Sequence, residues 1–508
     1  MTLLLTDFSI TNIPVTQEGQ TQIRPVRTFE DAGLHPVILE NIKLCGYNHP
    51  TPVQSYTLPA IKLGHDIIAC AQTGKSSCHS LGPFPNFRKG SGKTAAFLIP
   101  ILSRLMGKAK KICAPRPNPA EYDPVIHGQV RAEPLVLIVV PTRELAVQIF
   151  NEARKLCYRS MLRPVVIYGG TPLKDQIAQL AKGADILIAT TGRLVDFINR
   201  PHILSLRRLR FKVIDEADEL LQNDWESDMK VIMTGGDQEP GNITYLMFSA
   251  TFEKGVRELA KNHLKEDHVR IRVGRIGSSH TNIKQDVVFV EPRLKKEALL
   301  DLLMSKPPAR TIVFVNSKRG ADELDDFLFN NQIPCTSIHG DRTQREREDS
   351  IRAFTAGTCP VLIASGVTAR GIDVDLVMHV INYDLPSHQH GGINEYIHRI
   401  GRTGRSGRVG WATAFYTDRD EDIAPALVKA MLETRQTIPD FLECHIPEGF
   451  TADGHGDIAK LQFDDDSDNG EDEAAGFGGS VVEVAATPSG AWVRLQSIIQ
   501  LDLLALTV

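Results

Sequence analysis

The segment FKVIDEADEL, residues 211–220, joins a short apolar run to a group of acidic residues. Uninterrupted apolar runs of this length are typical of strands that are buried on both faces of a parallel sheet. Similar runs, separated by helix-like stretches, recur in both halves of the chain: DIIAC (66–70), PLVLIVV (134–140), RPVVIY (163–168), DILIAT (185–190), RTIVFVN (310–316), CTSIHG (335–340), CPVLIAS (359–365) and LVMHVINYD (376–384). This alternation predicts an α/β fold with two parallel sheets.

Polar segments divide the chain around these runs. The 508 residues allow two to four domains, and GRIGSSHTNIK at 274–284 is a Gly- and Ser-rich break of the kind that links domains. We therefore expect two α/β domains, at 24–273 and 285–448, preceded by an irregular arm at 1–23. The last segment, 449–508, is an acidic and Gly-rich tail, in which residues 463–480 are expected to be disordered. Its apolar end, from Trp492 to Val508, is either a loosely docked amphipathic helix or a non-native end.

The composition restricts the class of protein. Hydrophobic residues make up 42% and charged residues 23% of the chain, which excludes collagen-like and wholly disordered classes. The net charge of -5 argues weakly against a nucleic-acid-binding protein, but residues 464–473 alone carry seven acids, so the rest is close to neutral. Eight scattered cysteines favour free thiols in a reducing compartment. Without a signal peptide or a long apolar run, we expect a cytoplasmic or nuclear protein that does not enter a membrane.

The segment GSGKTAAF at 90–97 is similar to the second half of a phosphate-binding loop. In such loops backbone N–H groups hold the phosphates, a lysine reaches the β- and γ-phosphates, and a hydroxyl binds Mg²⁺. Gly92, Lys93 and Thr94 would take these roles. Phe87 stands where the complete motif has its first glycine, so a Gly-rich turn without a ligand is the alternative.

An acidic pair, Asp215 and Glu216, follows the apolar run FKVI. Two acids at the end of a buried strand suit the handling of a metal ion and of water beside a phosphate. Asp215 would hold Mg²⁺ through water, and Glu216 would orient the attacking water. A polar helix start after a strand is the alternative that these two residues alone leave open.

Further short motifs follow one another along the chain. They are GYNHPTPVQ (46–54), AQTG (71–74), GSGKT (90–94), PTRELA (141–146), YGG (168–170), TTGRL (190–194), DEAD (215–218), SAT (249–251), FVNS (314–317), HGDRTQ (339–344), ARGID (369–373) and YIHRIGRTGRSGR (396–408). Together they resemble the DEAD-box family of ATP-dependent RNA helicases, and TYLMFSATF with VGRIGS and IKQDVVFVE is similar to its Vasa-like subgroup. The resemblance implies two RecA-like domains whose parallel sheets are flanked by helices.

The resemblance assigns ATP-binding roles to residues outside the phosphate loop. Gln54 would read the adenine edge and Tyr47 would stack on the adenine ring. Phe29 would either support Tyr47 or fill the core. Asp373 would contact the ribose, and ATP and Mg²⁺ are the implied cofactors.

The resemblance also implies a site that both domains share. Arg402 and Arg405 would stabilise the charge of the transferred phosphoryl group. The residues implied in gripping RNA, or in coupling RNA binding to ATP hydrolysis, are Arg143, Gly170, Thr190, Arg193, Ser249, Thr251, Thr368, His398 and Arg399. Contacts to phosphates and 2′-hydroxyls would make binding independent of base sequence. We expect a monomer that binds single-stranded RNA and short duplexes and separates strands locally.

The sequence departs from the family inside the phosphate loop. AQTG (71–74) and SGKT (91–94) are contiguous in the family, whereas sixteen residues, 75–90, separate them here; 74–89 is an equivalent placement. Because such a loop holds successive N–H groups on one small anion, we expect the insert to disrupt it. A retained intron is a second hypothesis, because GKS (74–76) can be encoded with a GTAAGT donor sequence and the insert keeps the reading frame.

Two functions therefore compete. The first is an RNA helicase that couples ATP hydrolysis to the separation of short duplexes. The second is a nucleotide-defective RNA-binding or clamp protein, which follows if the insert is present in the protein. A DNA helicase is a third hypothesis, but the motifs match the RNA branch of helicases. RNA-stimulated ATP hydrolysis, with and without residues 75–90, distinguishes the first two.

Overall fold

The computed structural model describes most of the chain. Its described residues are 15–71, 92–115, 130–222, 226–252, 254–274, 282–305, 309–366, 374, 376–387, 391–404, 409–456, 461 and 482–484. Among these residues, no helix has both the length and the apolar character that crossing a bilayer requires. The predicted insert at 75–90 lies outside the described residues.

Nine strands form the sheet of the first domain. In spatial order they are β15 (Val482–Val484), β1 (Val15–Glu18), β8 (Val269–Val273), β2 (Ile67–Ala71), β7 (Thr244–Ser249), β6 (Phe211–Asp215), β3 (Val136–Val140), β5 (Ile186–Thr190) and β4 (Pro164–Ile167). The seven strands from β8 to β4 are parallel, and β1 is antiparallel to both of its neighbours. Strands β2, β3, β5 and β6 are buried along their whole length, as their apolar sequences predict.

Helices cover both faces of this sheet. They are α1 (Pro36–Leu44), α2 (Pro52–Leu63), α3 (Lys93–Met106), α4 (Ala109–Ile112), α5 (Arg143–Leu156), α6 (Leu173–Leu180), α7 (Thr191–Ile198), α8 (Ala217–Gln222), α9 (Glu226–Thr234) and α10 (Lys254–His263). One hydrophobic core packs α1, α2, α3 and α5 against one face, and a second core packs α7, α9 and α10 against the other. Neighbouring residues of β3 serve both cores, since Ile138 belongs to the first and Val139 to the second.

Six parallel strands form the sheet of the second domain. In spatial order they are β11 (Cys335–Ile338), β12 (Val361–Ser365), β10 (Arg310–Val315), β13 (Val377–Asn382), β14 (Gly410–Tyr416) and β9 (Ile283–Phe289). The helices are α11 (Lys295–Ser305), α12 (Lys318–Asn330), α13 (Gln344–Ala356), α14 (Gly392–Ile400) and α15 (Ala424–Glu433). The two RecA-like domains expected from the sequence, with helix-flanked parallel sheets, are confirmed.

The ends of the domains differ from the expectation. Residues 15–18, predicted to lie in an irregular arm, form β1 and pair with β8. Ile283, the next-to-last residue of the predicted linker, begins β9. Within the tail expected at 449–508, Leu461 is buried in a core of the second domain and residues 482–484 form β15, on either side of the stretch predicted to be disordered. The two strands of the first sheet that the sequence did not predict, β1 and β15, form by pairing at the edge of the sheet. Local composition does not predict such pairing.

The direction of the strands determines where the motifs lie. The carboxyl ends of parallel strands share one edge of a sheet, which is where α/β proteins place their sites. Five strands of the first sheet, β2, β3, β5, β6 and β7, end within or next to a predicted motif. The first domain therefore gathers PTRELA, TTGRL, DEAD and SAT along a single edge, together with Ala71, the first residue of AQTG.

Candidate nucleotide and nucleic-acid site

The last residue of the phosphate loop lies directly before α3. Gly92 has a φ of 81°, in the left-handed region that glycine adopts without a steric penalty. A Cβ atom at this position would lie 2.5 Å from Gln54 Nε2. Gln54 Nε2 donates to the Gly92 carbonyl at 3.0 Å, and Gln54 Oε1 accepts from the Thr51 amide at 3.0 Å. The glutamine predicted to read adenine thus also holds the end of the loop.

Lys93 is the first residue of α3, and its side chain is buried. Its Nζ donates to the carbonyl of Ser249, at the end of β7, over 3.2 Å. Thr94, the predicted hydroxyl ligand, is half-buried at the next position. A helix amino terminus beside an ammonium group attracts anions, so this corner of the sheet has the electrostatics of a phosphate pocket.

The acidic pair lies at the end of β6. Burial and the neighbouring Glu216 carboxylate raise the pKa of Asp215 to about 7, against the opposing effect of Lys93. The Glu216 amide donates to Asp215 Oδ1 at 3.1 Å, and Glu216 has a φ of 54°. This left-handed backbone is uncommon for a residue with a side chain and turns the chain sharply between β6 and α8.

The donor atoms of this corner fit a magnesium ion. Mg²⁺ prefers oxygen ligands and usually combines one or two carboxylates with phosphates and water. Asp215 and the Thr94 hydroxyl are oxygen donors of that kind, and a cation would offset the cost of ionising a buried carboxylate. Within the described ranges, no group of three or more His, Cys, Asp or Glu side chains is arranged to hold a metal ion.

Asp218, the last acid of DEAD, links this corner to the SAT motif. Its Oδ2 accepts from the Thr251 amide at 3.0 Å, from the Thr251 hydroxyl at 3.0 Å and from the Ala250 amide at 3.2 Å. Its own amide donates to Ser249 Oγ at 3.3 Å. Ser249 and Thr251, predicted to couple hydrolysis to RNA binding, are therefore tied to the acidic motif. No role was predicted for Asp218, although it is the last residue of the DEAD motif.

A cavity between the two domains brings the predicted catalytic side chains together. It is lined by Lys93, Glu216, Asp218, Glu219, Ala250, His398 and Arg402. Arg402 follows α14, is buried, and its Nε donates to the His398 carbonyl at 3.1 Å. A lysine and an arginine thus face three carboxylates across the domain boundary, an arrangement that suits phosphoryl transfer.

Arg399 lies apart from this cavity. Its guanidinium donates to Glu395 Oε1 at 2.8 Å, to the Asp384 carbonyl at 2.9 Å and to Asn316 Oδ1 at 3.0 Å. Only 2% of its side chain is exposed, and it lies over the ring of Phe314. Arg399, predicted to link ATP to RNA, is buried and holds parts of the second domain together, whereas the nearby residues His398 and Arg402 line the cavity.

A second cavity, of about 430 Å³, lies at the carboxyl edge of the first sheet. It is lined by Pro141, Arg143, Gly169, Thr190, Thr191, Gly192, Arg193 and Asp196. Three of the residues predicted to grip RNA, Arg143, Thr190 and Arg193, are therefore neighbours. Gly170, a fourth, has a φ of 83° and packs so closely against the Arg143 guanidinium that a Cβ atom would collide with it.

Arg193, which lines this cavity, has a hydrogen-bond donor without a partner. Its Nη2 donates to the Thr171 carbonyl at 3.3 Å. Its Nη1 is buried and has no hydrogen-bond partner among the described residues. A buried guanidinium donor without a partner is costly, and a phosphate oxygen is the acceptor that guanidinium groups bind most strongly. The cavity is thus suited to a phosphate backbone.

Two contacts cross the domain boundary beside this cavity. Arg347 of α13 forms an ion pair with Glu144 of α5 at 2.8 Å, and Arg143 Nη1 donates to Gln344 Oε1 at 3.1 Å. Burial raises the pKa of Glu144, while the Arg347 charge lowers it by less. The sequence predicted no role for Gln344 or Arg347, although Gln344 is the last residue of the HGDRTQ motif.

The predicted adenine-binding residues have contacts within the first domain. The Tyr47 hydroxyl donates to Glu152 Oε1 of α5, and the ring packs against the first core. Phe29 is buried in that core, which agrees with the second of its two predicted roles. Thr368, Asp373 and Arg405 lie outside the described residues, so their predicted roles stay predictions.

Comparisons with known proteins point to one family. A family model described as "DEAD/DEAH box helicase" matches residues 85–259, and one described as "Helicase conserved C-terminal domain" matches residues 294–407. Together they match more than half of the chain.

Solved structures show the same similarity over both domains. S. cerevisiae Dbp5 bound to RNA and ADP BeF3 is 27% identical, with a TM-score of 0.63, over 80% of this chain and 93% of Dbp5. Mss116p (NTE and C-tail double deletion) bound to ssRNA and AMP-PNP is 26% identical, with a TM-score of 0.65, over 82% of this chain and 78% of Mss116p.

Proposed function

The chain belongs to the DEAD-box helicase family, and from this we propose that it couples ATP hydrolysis to the local separation of short RNA duplexes. The observation that carries the proposal is the cavity between the domains. Lys93 and Glu216 of the first domain line it together with His398 and Arg402 of the second. A site divided in this way is complete only when the domains meet, so nucleotide binding and domain closure depend on each other.

Each side chain of the cavity has a proposed task. Lys93 binds the β- and γ-phosphates, Glu216 orients the attacking water, and Arg402 stabilises the charge of the transferred phosphoryl group. Asp215 and Thr94 would hold Mg²⁺, which neutralises phosphate charge when bound. Asp218 holds Ser249 and Thr251 in place, which supports their proposed role in coupling the two ligands.

The proposed nucleic-acid partner is RNA, bound without regard to base sequence. Arg143, Thr190 and Arg193 line a cavity suited to phosphates, and Arg193 has a free donor there. Dbp5 and Mss116p hold RNA together with a nucleotide analogue, and we propose the same pair of ligands for this chain. Closure around both would bend one strand and separate a few base pairs at a time. We further propose a monomeric member of the Vasa-like subgroup, located in the cytoplasm or nucleus.

The alternative is a nucleotide-defective RNA clamp, and the insert in the phosphate loop favours it. Sixteen residues separate AQTG from SGKT, and the first family match begins at residue 85, inside this insert. If residues 75–90 are translated, we expect RNA binding without hydrolysis. If they come from a retained intron, the transcript exists in a form shorter by these codons.

One experiment tests both proposals. ATP hydrolysis is measured for the full chain and for a chain lacking residues 75–90, each with RNA and with DNA of the same sequence. We expect RNA-stimulated hydrolysis by the shorter chain, weaker stimulation by DNA, and RNA binding without hydrolysis by the longer chain. Glu216→Gln in the shorter chain is the matched control and should abolish the activity.

Three results would alter these assignments. Hydrolysis by neither chain, with RNA binding intact in both, would replace the helicase by the clamp. Equal stimulation by DNA would move the protein to the DNA helicases. Sequencing the transcript decides the intron hypothesis separately, because uniform reads that contain the codons for 75–90 would refute it.

A further inference from the structure

Two arginines of β8 lie on the face of the first sheet that carries the second core. Arg270 and Arg272 are the cross-strand neighbours of Ile68 and Cys70, which belong to that core. Buried strands normally carry apolar residues at such positions. Only 5% of the Arg270 side chain is exposed, against 25% of the Arg272 side chain. Because a buried charge is costly without a partner, Arg270 depends on the groups around it.

Glu18 of β1 supplies the opposite charge. It lies directly opposite Arg270 in the antiparallel pair of β1 and β8, so the two side chains share a face of the sheet. Its carboxylate accepts from Arg270 Nη1 and from Arg272 Nη1, each at 2.9 Å. The Glu18 side chain is itself only 10% exposed. One carboxylate of the first strand thus holds both guanidinium groups.

The Arg270 guanidinium also stacks on the ring of Phe252. Its Cζ atom lies 3.6 Å from the ring centroid, and the ring is buried. A cation over an aromatic face is attracted by the ring, and more strongly where water is excluded. Phe252 directly follows Thr251, the last residue of the SAT motif. Arg270 therefore connects β1 to the segment proposed to couple hydrolysis to RNA binding.

The SAT motif is held from two sides. On one side, the Thr251 amide and hydroxyl donate to Asp218 of the DEAD motif. On the other side, the next residue, Phe252, packs under the Arg270 guanidinium, which Glu18 holds in turn. The first contact set lies among the family motifs, whereas the second starts from a strand outside them.

The arginines share their surroundings with the phosphate loop. Burial raises the pKa of the Cys70 thiol, and the positive charges of Arg270, Arg272 and Lys93 oppose that rise. Asp218 acts on the same thiol with the opposite sign. One buried thiol is thus near both the arginines that Glu18 holds and two charged residues of the candidate site.

We propose that Glu18 is a positioning residue for the SAT motif, which it holds through Arg270 and Phe252. The inference rests on the proposed function, since SAT couples two ligands only in a protein that binds both ATP and RNA. Glu18 fixes the guanidinium of Arg270, the guanidinium fixes the ring of Phe252, and the ring limits the movement of Thr251. Strand β1 is then a part of the coupling apparatus as well as a strand of the sheet.

The factor by which a nucleotide analogue raises RNA affinity measures this coupling. RNA titrations with and without the analogue determine it in the chain form that hydrolyses ATP. Glu18→Gln should lower the factor about fivefold or more, the lower end of typical coupling between two sites. Basal hydrolysis without RNA should stay unchanged, because Glu18 is not among the residues that line the cavity between the domains.

Glu133 offers a matched control in the same sheet. It precedes β3, five positions from β1 in the strand order. Its carboxylate is 8% exposed and forms ion pairs with Arg131, Arg207 and Arg208. Glu133→Gln should therefore destabilise the first domain as Glu18→Gln does, but should leave the coupling factor unchanged. Thermal unfolding of both variants, measured beside the RNA titrations, separates lost stability from lost positioning.

A double-mutant cycle tests the route through the aromatic ring. Phe252→Leu keeps an apolar side chain but removes the ring, so it should lower the coupling factor as Glu18→Gln does. Because both substitutions break one chain of contacts, the double variant should lose little more than either single variant. Glu18→Gln with Arg270→Met removes the buried charge together with its partner. This pair should fold even if Glu18→Gln alone does not, and it should show the same loss of coupling.

Four results would overturn the proposal. The first is an unchanged coupling factor in Glu18→Gln while the unsubstituted chain shows coupling. The second is an equal fall in Glu133→Gln, which would assign the effect to lost stability alone. The third is additive losses in the double variant, which would exclude the route through Phe252. The fourth is an unsubstituted chain in which the analogue does not raise RNA affinity, and in that case the proposed function fails as well.

Discussion

The contacts of Asp218 and those of Glu144 both join motifs that are distant in sequence, but they hold different parts of the molecule together. Asp218 binds Ala250 and Thr251 within the first domain, at 3.0–3.2 Å. Glu144 binds Arg347 across the domain boundary at 2.8 Å. The first set needs only a folded domain, whereas the second exists only while the domains face each other. The first half of the site is thus pre-assembled, and its completion depends on domain approach.

The largest effect on activity is expected from replacing Arg402, which lies in the second domain and lines the cavity proposed to hold the phosphates. In the chain form that hydrolyses ATP, Arg402→Ala should lower RNA-stimulated turnover by about 10³-fold or more, the lower limit for loss of an arginine finger. The fold should survive, because the Arg402 Nε bond goes to a backbone carbonyl beside it. Steady-state hydrolysis and thermal unfolding measure the two effects. A loss below tenfold would place Arg402 away from the reacting phosphates.

Arg399→Ala is the matched substitution three residues earlier, and its effect should be on stability. Removing the guanidinium breaks the buried ion pair with Glu395, which typically costs about 3–5 kcal/mol. Urea unfolding of the second domain should show this loss, whereas Arg402→Ala should leave the midpoint nearly unchanged. Equal midpoints for the two variants would mean that Arg399 does not brace the domain.

Asp218→Ala should remove the hydrogen bonds that join the DEAD and SAT motifs within the first domain. Three donors lose their acceptor in a buried place, so the first domain should lose about 1–3 kcal/mol of stability. Because Thr251 is then no longer fixed to the acidic motif, duplex separation should fall more than hydrolysis does. Ser249→Ala, which removes the acceptor of one bond of 3.3 Å, is the milder control. Equal losses of both activities would argue against coupling through Asp218.

The sequence predicted more of the fold than of the side-chain contacts. The apolar runs predicted the central strands correctly. A strand that is buried on both faces consists mostly of apolar residues, so it can be recognised from its own sequence alone. The sequence also predicted that Lys93, Glu216 and Arg402 would share a site, because the carboxyl ends of parallel strands meet at one edge and because their motifs match those of the family. Edge strands such as β1 and β15 were missed, since their pairing depends on a sheet built by distant residues.

Arg399 and Arg402 show most clearly which side-chain contacts the local sequence does not predict. They are three residues apart, have the same chemistry and lie in one predicted motif, yet one is a brace and the other lines the cavity. What separates them is the tertiary position of Glu395, Asp384 and Asn316 around one guanidinium. Nothing in the local sequence encodes that environment, and the same holds for the pairing of Arg347 with Glu144.

A smaller effect is expected from the ion pair between the domains. Both charges return to water when the domains separate, so Arg347→Gln should change closure and leave the stability of each domain nearly unchanged. We expect the ratio of closed to open molecules to fall by at least about fivefold, because a buried pair costs more to break than the roughly 1 kcal/mol of an exposed ion pair. Energy transfer between one label in each domain, with RNA and a nucleotide analogue bound, measures this ratio. An unchanged ratio in Arg347→Gln would show that the pair does not contribute to closure.

The smallest effect is expected from a change of pH, which tests the pair of Glu144 and Arg347 through the protonation of Glu144. Burial between the domains raises the pKa of Glu144 above its ordinary value of 4.5, so closure takes up protons. The closed fraction should therefore rise as the pH is lowered toward the raised pKa and fall as the pH is raised through it. Glu144→Gln carries no titrating group and should remove this dependence. Glu152 of the same helix pairs with Lys155 inside the first domain, so Glu152→Gln should retain it. A pH dependence that persists in Glu144→Gln would assign it to another group at the boundary.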